Sequence, residues 1–249
     1  MGSFRLAASG HAAMVETDIQ ISSDGVAFLL HDDTLSRTTD AERALGLSSD
    51  ALAETQTWAD LKRLDAGSWF GGAFEGERVP HLDDLAALHE RPAEGSTSPM
   101  LGFDLEIKPP LTHTADHVVS VVNSHLRSSA WARAVDSGQV VVTSFDPDVV
   151  ELAASTLPVP VGLLLGAAPD PADLSTLALA GIAAIVVEHT TLSREVVTAA
   201  GSAGLAVWVY TANEVADWDR LVDLGVGGIC TDYPAALHTF LATRGSQSR

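Results

Sequence analysis

Short β-branched runs alternate with longer stretches of helical spacing through the second half of the chain. The runs are "QVVVTSFD" (139–146), "VPVGLLLG" (159–166), "IAAIVVEH" (182–189), "LAVWVYTAN" (205–213) and "GGICTDYP" (227–234). Each predicts a strand, and most of these strands are apolar on both sides. Between them lie stretches predicting helices that start near Pro147, Pro171, Ser193 and Glu214, opened by Asp, Ser or Asn suited to capping or by Pro suited to a first turn. Strand–helix alternation of this kind implies parallel strands joined by crossovers. Two architectures fit, a (β/α)₈ barrel and an open doubly wound sheet. No Gly-rich dinucleotide fingerprint follows any of the strands, whereas "VTSF", "VVEH", "VYTAN" and "CTDYP" put polar residues at several carboxyl ends. That pattern favours the α/β barrel of TIM type.

The first half departs from this rhythm. In "MVETDIQISSDGVAFLLHDDTLSRTT" (14–39) two strand-like runs are separated by "SSDG", too short for a crossover helix, so they are expected to pair as an antiparallel hairpin. With Asp24-Gly25 as a two-residue loop, Ser23 would face Val26 and Asp18 would face His31. Glu16, Asp18 and His31 would then share one face of the sheet. A slip of one residue would carry His31 to the other side.

"LGFDLEIKPP" (101–110) repeats the device. Leu101, Phe103, Leu105 and Ile107 are apolar, and Asp104, Glu106 and Lys108 alternate with them. One face packs, and the other is free for chemistry or for ion pairs. Carboxylates converging in a low-dielectric site repel one another, and a hard divalent cation with oxygen ligands relieves that repulsion. Glu16, Asp18 and Glu106 are the expected ligands.

Composition narrows the function further. The 249 residues are 46% hydrophobic, with no run long enough to span a bilayer and no charged-then-apolar leader, so the cytosol is the expected compartment. One cysteine, Cys230, excludes an internal disulfide framework and reads as a small buried apolar residue. A formal charge of −19 with no basic stripe argues against nucleic acid as a partner. An acidic chain acting on an anionic substrate needs a local source of positive charge, which a bound metal supplies.

These pieces, with "LDAGSWFGGAFEGERVPHLDDL", "EIKP" and "SFDP" in chain order, resemble the glycerophosphodiester phosphodiesterases, in the superfamily that also holds the phosphatidylinositol-specific phospholipases C. The likeness runs from about Phe4 to about Leu241. It implies a β/α barrel that hydrolyses small-molecule glycerophosphodiesters to glycerol 3-phosphate and an alcohol. By resemblance Glu16, Asp18 and Glu106 hold Mg²⁺ or Ca²⁺, His31 is one of two acid/base histidines and Lys108 contacts the phosphate. The glycerol's own 2-hydroxyl is the attacking group that the family implies. The resemblance adds Trp69, Phe145 and Trp208 as substrate contacts, with Phe70 and Phe74 beside Trp69 in a loop over the barrel mouth.

Residues 1–249 are expected to form one phosphodiesterase barrel with residues 33–100 inserted in it. The insertion should contain a Thr57-capped helix, the aromatic loop "GSWFGGAF", a helix after Pro80 and the polar, mobile link "HERPAEGSTSP". The family pattern begins with a strand ending in His-Arg-Gly, and this chain starts in the helix after it, so the barrel is expected to be incomplete at its N-terminus. His11 precedes the Glu16 strand at the wrong end for chemistry, and His189 ends a strand on the correct side. The alternatives are a truncated or degenerate member that binds metal and phosphate with little turnover, a phospholipase C-type phosphodiesterase, and a non-catalytic binding barrel.

Overall fold

The computed structural model describes residues 1–89 and 100–247. Its strands are β1 (Met14–Ile21), β2 (Ala27–Leu29), β3 (Gly102–Ile107), β4 (Val140–Ser144), β5 (Val161–Leu165), β6 (Ala184–Glu188), β7 (Ala206–Tyr210) and β8 (Gly228–Ile229). They form one curled sheet in the order β2-β1-β3-β4-β5-β6-β7-β8, parallel throughout except for the β1–β2 hairpin. The parallel strands fall one short of the number in a (β/α)₈ barrel, and among the described residues β8 is not paired back to β1. The architecture is an α/β half-barrel, as the incomplete-barrel expectation requires.

Helices α1 (Gly2–Ser9), α2 (Ala41–Leu45), α3 (Trp58–Leu61) and α4 (Leu82–Ala86) precede β3. Then come α5 (Ala115–Leu126), α6 (Ala132–Asp136), α7 (Pro147–Thr156), α8 (Leu174–Leu179), α9 (Arg194–Ala203), α10 (Val215–Leu224) and α11 (Pro234–Gln247). Their starts follow local chemistry. Asp146 caps α7 with Pro147 in the first turn, Ser193 caps α9, and Thr57 caps α3. The helix expected near Pro171 begins instead at Leu174. The alternating faces of the strands explain the core. Val15, Ile19, Phe103, Leu105, Ile107, Val140 and Val142 belong to a buried apolar cluster with Val118, Val119, Val122 and Val149 of α5 and α7. The other face of β1 and β3 is left to Glu16, Asp18, Gln20, Asp104 and Glu106.

The hairpin differs from its expected register by one residue. Ile19 pairs with Leu29, Gln20 with Phe28 and Ile21 with Ala27, so Leu30 rather than His31 stands opposite Asp18, and Leu30 N donates to Asp18 O at 3.1 Å. The loop has three residues, 23–25, closed by Ser22 N donating to Val26 O at 2.9 Å, with Gly25 at φ 82°. A third loop residue in the left-handed region is the usual three-residue alternative to a two-residue turn. Here a long-range contact favours it: Asp24 Oδ1 accepts from Ser22 Oγ at 2.7 Å and from Trp58 N at 2.8 Å.

Residues 33–89 carry more structure than their composition suggested, with α2 and two isolated bridges, Thr34 to Leu52 and Asp65 to Arg78. The aromatic loop is tied down by Asp65, whose carboxylate accepts from Gly67 N, Ser68 N, Ser68 Oγ and Gly76 N at 2.6–3.0 Å. The Ser68 hydroxyl and then these backbone donors hold the Asp65 carboxyl far below the usual range. A carboxylate depressed in the folded state contributes stability above its unfolded pKa and loses it as pH falls through the folded one. Asp65→Ala is therefore expected to lower Tm by about 2–4 °C at neutral pH, the effect of losing about 1 kcal/mol of capping. In thermal unfolding scans the gap from wild type should narrow below about pH 4. The link "HERPAEGSTSP" lies outside the described residues from Glu90 onward, but His89 itself is buried, its Nδ1 2.8 Å from Leu101 O.

Candidate active site

Parallel register sets the first half of the site. β1 and β3 pair Glu16 with Asp104 and Asp18 with Glu106, which places four carboxylates on one face of two adjacent strands. One oxygen each from Glu16, Asp18 and Glu106 lies within 4.8 Å of the others. Lys108 Nζ is 2.8 Å from Asp18 Oδ1 and 3.0 Å from Glu106 Oε1. Burial alone would lower the pKa of this ammonium, but Asp18 and Glu106 outweigh it and the net shift is upward. Glu106 Oε1 is fully buried and accepts no hydrogen bond of ordinary geometry, so the ammonium contact is its electrostatic support.

The proton affinities report the crowding. Burial among protein atoms and then the charges of Asp18, Asp104 and Glu106 raise the Glu16 carboxyl, against the opposing pull of Lys108. Glu16 also meets solvent across an open cavity, which tempers the burial effect and leaves the mutual repulsion. Asp104 is pushed up to about 7, first by burial and further by Glu106 and Asp18, although Thr143 Oγ1 donates to its Oδ1 at 2.8 Å and resists the shift. Glu106 is raised by burial, with Lys108 opposing. Four carboxylates around one ammonium leave a deficit of positive charge. Three of them present oxygens at a spacing that suits a hard divalent cation, and the buried Glu106 Oε1 meets the Lys108 ammonium at 3.0 Å.

His31 reaches this site by a route that strand alternation does not describe. β2 ends at Leu29, and Gln20 Nε2, on the inward face of β1, donates to Leu30 O and to Asp32 O at 2.8 Å each. That clamp turns the departing chain so that His31 lines the same cavity as Glu16 and Asp18 despite the shifted register. Its side chain is 70% exposed. His31 Nδ1 is 2.8 Å from Asp32 Oδ1, and Asp32 is gripped by Arg37 through Nε and Nη2, both at 2.5 Å. The Arg37 bonds hold the Asp32 carboxyl below its ordinary range against the burial that would raise it. An ionised Asp32 on Nδ1 fixes the tautomer and leaves Nε2 to exchange a proton. Arg37 in turn stacks over Trp69 at 5.4 Å from the ring centroid, and the Trp69 indole donates to Ala66 O at 2.9 Å.

The cavity has a volume of about 850 Å³ and spans the gap between β1 and the segment after β8, with Glu16, Thr17 and Asp18 on one side and Asp232, Tyr233 and Pro234 on the other. Trp69, Phe70 and Phe74 line it as well. Phe145, Trp208, Glu106 and Lys108 do not. Phe145 packs edge-on against Tyr210 at 5.9 Å, and the Trp208 ring lies against Gly228, where an added Cβ would come within 3.0 Å of it. Among the described residues, His31 is the one histidine lining the cavity. His11, at φ 64°, stacks on His238 at 4.7 Å, and His189 sits between Glu188, Asp217 and Arg220. Cys230 is half-buried, and burial followed by the charges of Glu16 and Asp104 pushes its thiol up to about 12, so it stays protonated.

Gln20, Asp32 and Arg37 escaped the sequence-based assignment. Gln20 continues the inward period of Glu16 and Asp18, a signal that was there to be read. The partnership of Asp32 with Arg37 spans five residues of loop and has no periodicity to reveal it. Among the described residues no helix is long and apolar enough to cross a membrane.

Similarity to known proteins agrees with this geometry. Over 250 residues the chain is 29% identical to a glycerophosphodiester phosphodiesterase of Bacillus subtilis, covering 95% of this chain and 79% of that one. A phosphodiesterase of Oleispira antarctica, solved in complex with the product sn-glycerol-3-phosphate, superposes with a TM-score of 0.82 at 25% identity, over 97% of this chain and 90% of that one. The family model for the glycerophosphoryl diester phosphodiesterases matches residues 1–236, and with nearly the whole half-barrel inside that match the chain belongs to this family.

Proposed function

We propose that this chain hydrolyses glycerophosphodiesters to glycerol 3-phosphate and an alcohol, in a single barrel domain over residues 1–249 with residues 33–100 as an insertion. The observation that carries the reading is the convergence of one oxygen each from Glu16, Asp18 and Glu106 within 4.8 Å of one another, with Glu16 and Asp18 bordering a cavity that His31 also lines. Glu16, Asp18 and Glu106 hold the divalent cation, Mg²⁺ or Ca²⁺. When bound, that cation neutralises charge on the phosphoryl oxygens, the main obstacle to attack on a phosphodiester. Lys108, on the same inward face, is assigned to the phosphate, with Trp69 on the leaving-group side. Phe145 and Trp208 are assigned to the substrate as well, although like Glu106 and Lys108 they do not border the cavity.

Of the two proton transfers, attack by the glycerol 2-hydroxyl and departure of the alcohol, His31 Nε2 serves one. Asp32 keeps the ring in the tautomer that allows it. Because His31 is the one histidine lining the cavity among the described residues, a second reading is specific: the site binds metal and phosphate but turns over slowly. Hydrolysis of glycerophosphocholine, followed by release of glycerol 3-phosphate in Mg²⁺ or Ca²⁺ and after treatment with EDTA, separates the two. Turnover that EDTA abolishes and either ion restores is expected. Tight binding of the ion without turnover would favour the second reading.

A further inference from the structure

Glu54 takes no part in the chemistry above, yet it is only 3% exposed. A carboxylate buried so deeply needs hydrogen-bond partners. It lies in the short 3₁₀ turn Ala53–Thr55, and one oxygen, Oε2, accepts from Leu111 N at 3.1 Å and from both Thr112 N and Thr112 Oγ1 at 2.8 Å. These donors stand 57 and 58 residues further along, in the loop that leaves β3 through Lys108.

The composition of that loop explains why it needs an anchor. Lys108 N still belongs to the sheet, donating to Ile19 O at 3.1 Å. Pro109 and Pro110 follow without an N–H, so Leu111 N is the first amide beyond Lys108 able to fix the chain. Pro109, Leu111 and Thr112 are exposed, so the loop gains little there from apolar packing. The His113 ring adds a tie one residue on, with Nε2 3.1 Å from Ile21 O.

Glu54 is in turn fixed to the other side of the site. Ala53 N donates to Asp33 O at 2.8 Å, Leu35 N to Ala51 O at 3.3 Å, and Thr34 bridges to Leu52. The residues just before Glu54 therefore pair with those just after His31 and Asp32. One buried oxygen joins the segment that carries His31 to the segment that carries Lys108. The carboxylates that Lys108 meets at 2.8 and 3.0 Å, Asp18 and Glu106, are also the assigned cation ligands, so the aim of its ammonium depends on the backbone it leaves from.

We propose that Glu54 is a positioning residue for Lys108, setting the reach of the ammonium to the phosphate relative to His31. The phosphate role of Lys108 rests on the hydrolysis reading, whereas the positioning is also read by ligand binding. Glu54→Ala is expected to lower kcat/KM for glycerophosphocholine by about 10–10²-fold, the size of loss that a displacement of about 1 Å produces. In a Lys108→Ala background the same substitution should cost less than about twofold, because Glu54 acts through the side chain already removed. Glu54→Gln keeps the shape but turns charge-assisted bonds into neutral ones, so a loss of about threefold is expected, again only where Lys108 is present. It carries the test if the circular dichroism spectrum of Glu54→Ala shows an unfolded chain.

Calorimetric titration of sn-glycerol 3-phosphate into the same proteins, with Mg²⁺ or Ca²⁺ present, reads the same comparison without turnover. Losses of equal size with and without Lys108 overturn the proposal, for Glu54 would then support the fold as a whole. Wild-type kcat/KM in folded Glu54→Ala also overturns it. A wild type that binds glycerol 3-phosphate through Glu54 and Lys108 together but hydrolyses nothing upholds the positioning and refutes the hydrolysis reading. A wild type that neither hydrolyses nor binds refutes both.

Discussion

Glu16→Gln is expected to lower hydrolysis of glycerophosphocholine by about 10³-fold while making the metal-free protein more stable. The loss follows from removing one of three oxygen donors from a cation that faces a phosphodiester, an effect of about 4 kcal/mol on the transition state. The gain in stability has the opposite origin. Glu16 sits beside Asp18, Asp104 and Glu106, with Lys108 as the opposing cation, and the neutral amide removes the repulsion while keeping the shape. Discounted for the solvent that Glu16 meets in the cavity, the relief is about 1 kcal/mol, or about 2–4 °C in Tm.

The same scans repeated with the cation give a second readout. At a hundredfold excess over Kd the wild type gains about 2.7 kcal/mol, and the variant should lose most of that increment. A variant less stable than the wild type without metal would show that Glu16 supports the fold rather than strains it. Unchanged turnover would remove it from the site.

His31→Ala is expected to cost about 10²–10⁴-fold in kcat, the contribution of one positioned acid/base group. Binding of the cation should be retained, because His31 is not one of the three carboxylates whose oxygens converge. Asp32→Asn should cost less, about tenfold, since the ring remains while its orientation and tautomer lose their ionised partner. The two substitutions together should cost no more than His31→Ala alone, because Asp32 acts through the ring it holds at 2.8 Å. Turnover by His31→Ala equal to that of the wild type would end the assignment. Losses that multiply in the double variant would give Asp32 a separate role.

Much of this site is legible in the chain because the controlling rule is local. Side chains alternate along a strand, so an apolar set and a charged set in "VETDIQ" and "FDLEIK" must face opposite ways, whatever else the protein does. The caps Asp146, Ser193 and Thr57 are equally local, since each bonds an amide two or three residues on. His81, which caps α4 by accepting from Asp83 N, belongs to the same class but carries no familiar capping side chain. Pro80 is therefore the local signal for its helix.

The sequence by itself determined the curled parallel sheet, its apolar outer face and the convergence of Glu16, Asp18 and Glu106, for these depend on period and on strand order alone. Tertiary structure decided the rest, because each remaining feature joins residues far apart in the chain. The hairpin register turns on Asp24 reaching Trp58 N, and the place of His31 turns on Gln20 holding Leu30 O and Asp32 O. Phe145 packs against Tyr210 and Trp208 against Gly228, partners set by the pairing of separate strands. The cavity is bordered where α1 meets the aromatic loop, some seventy residues along the chain, and no local pattern specifies the space left between two surfaces.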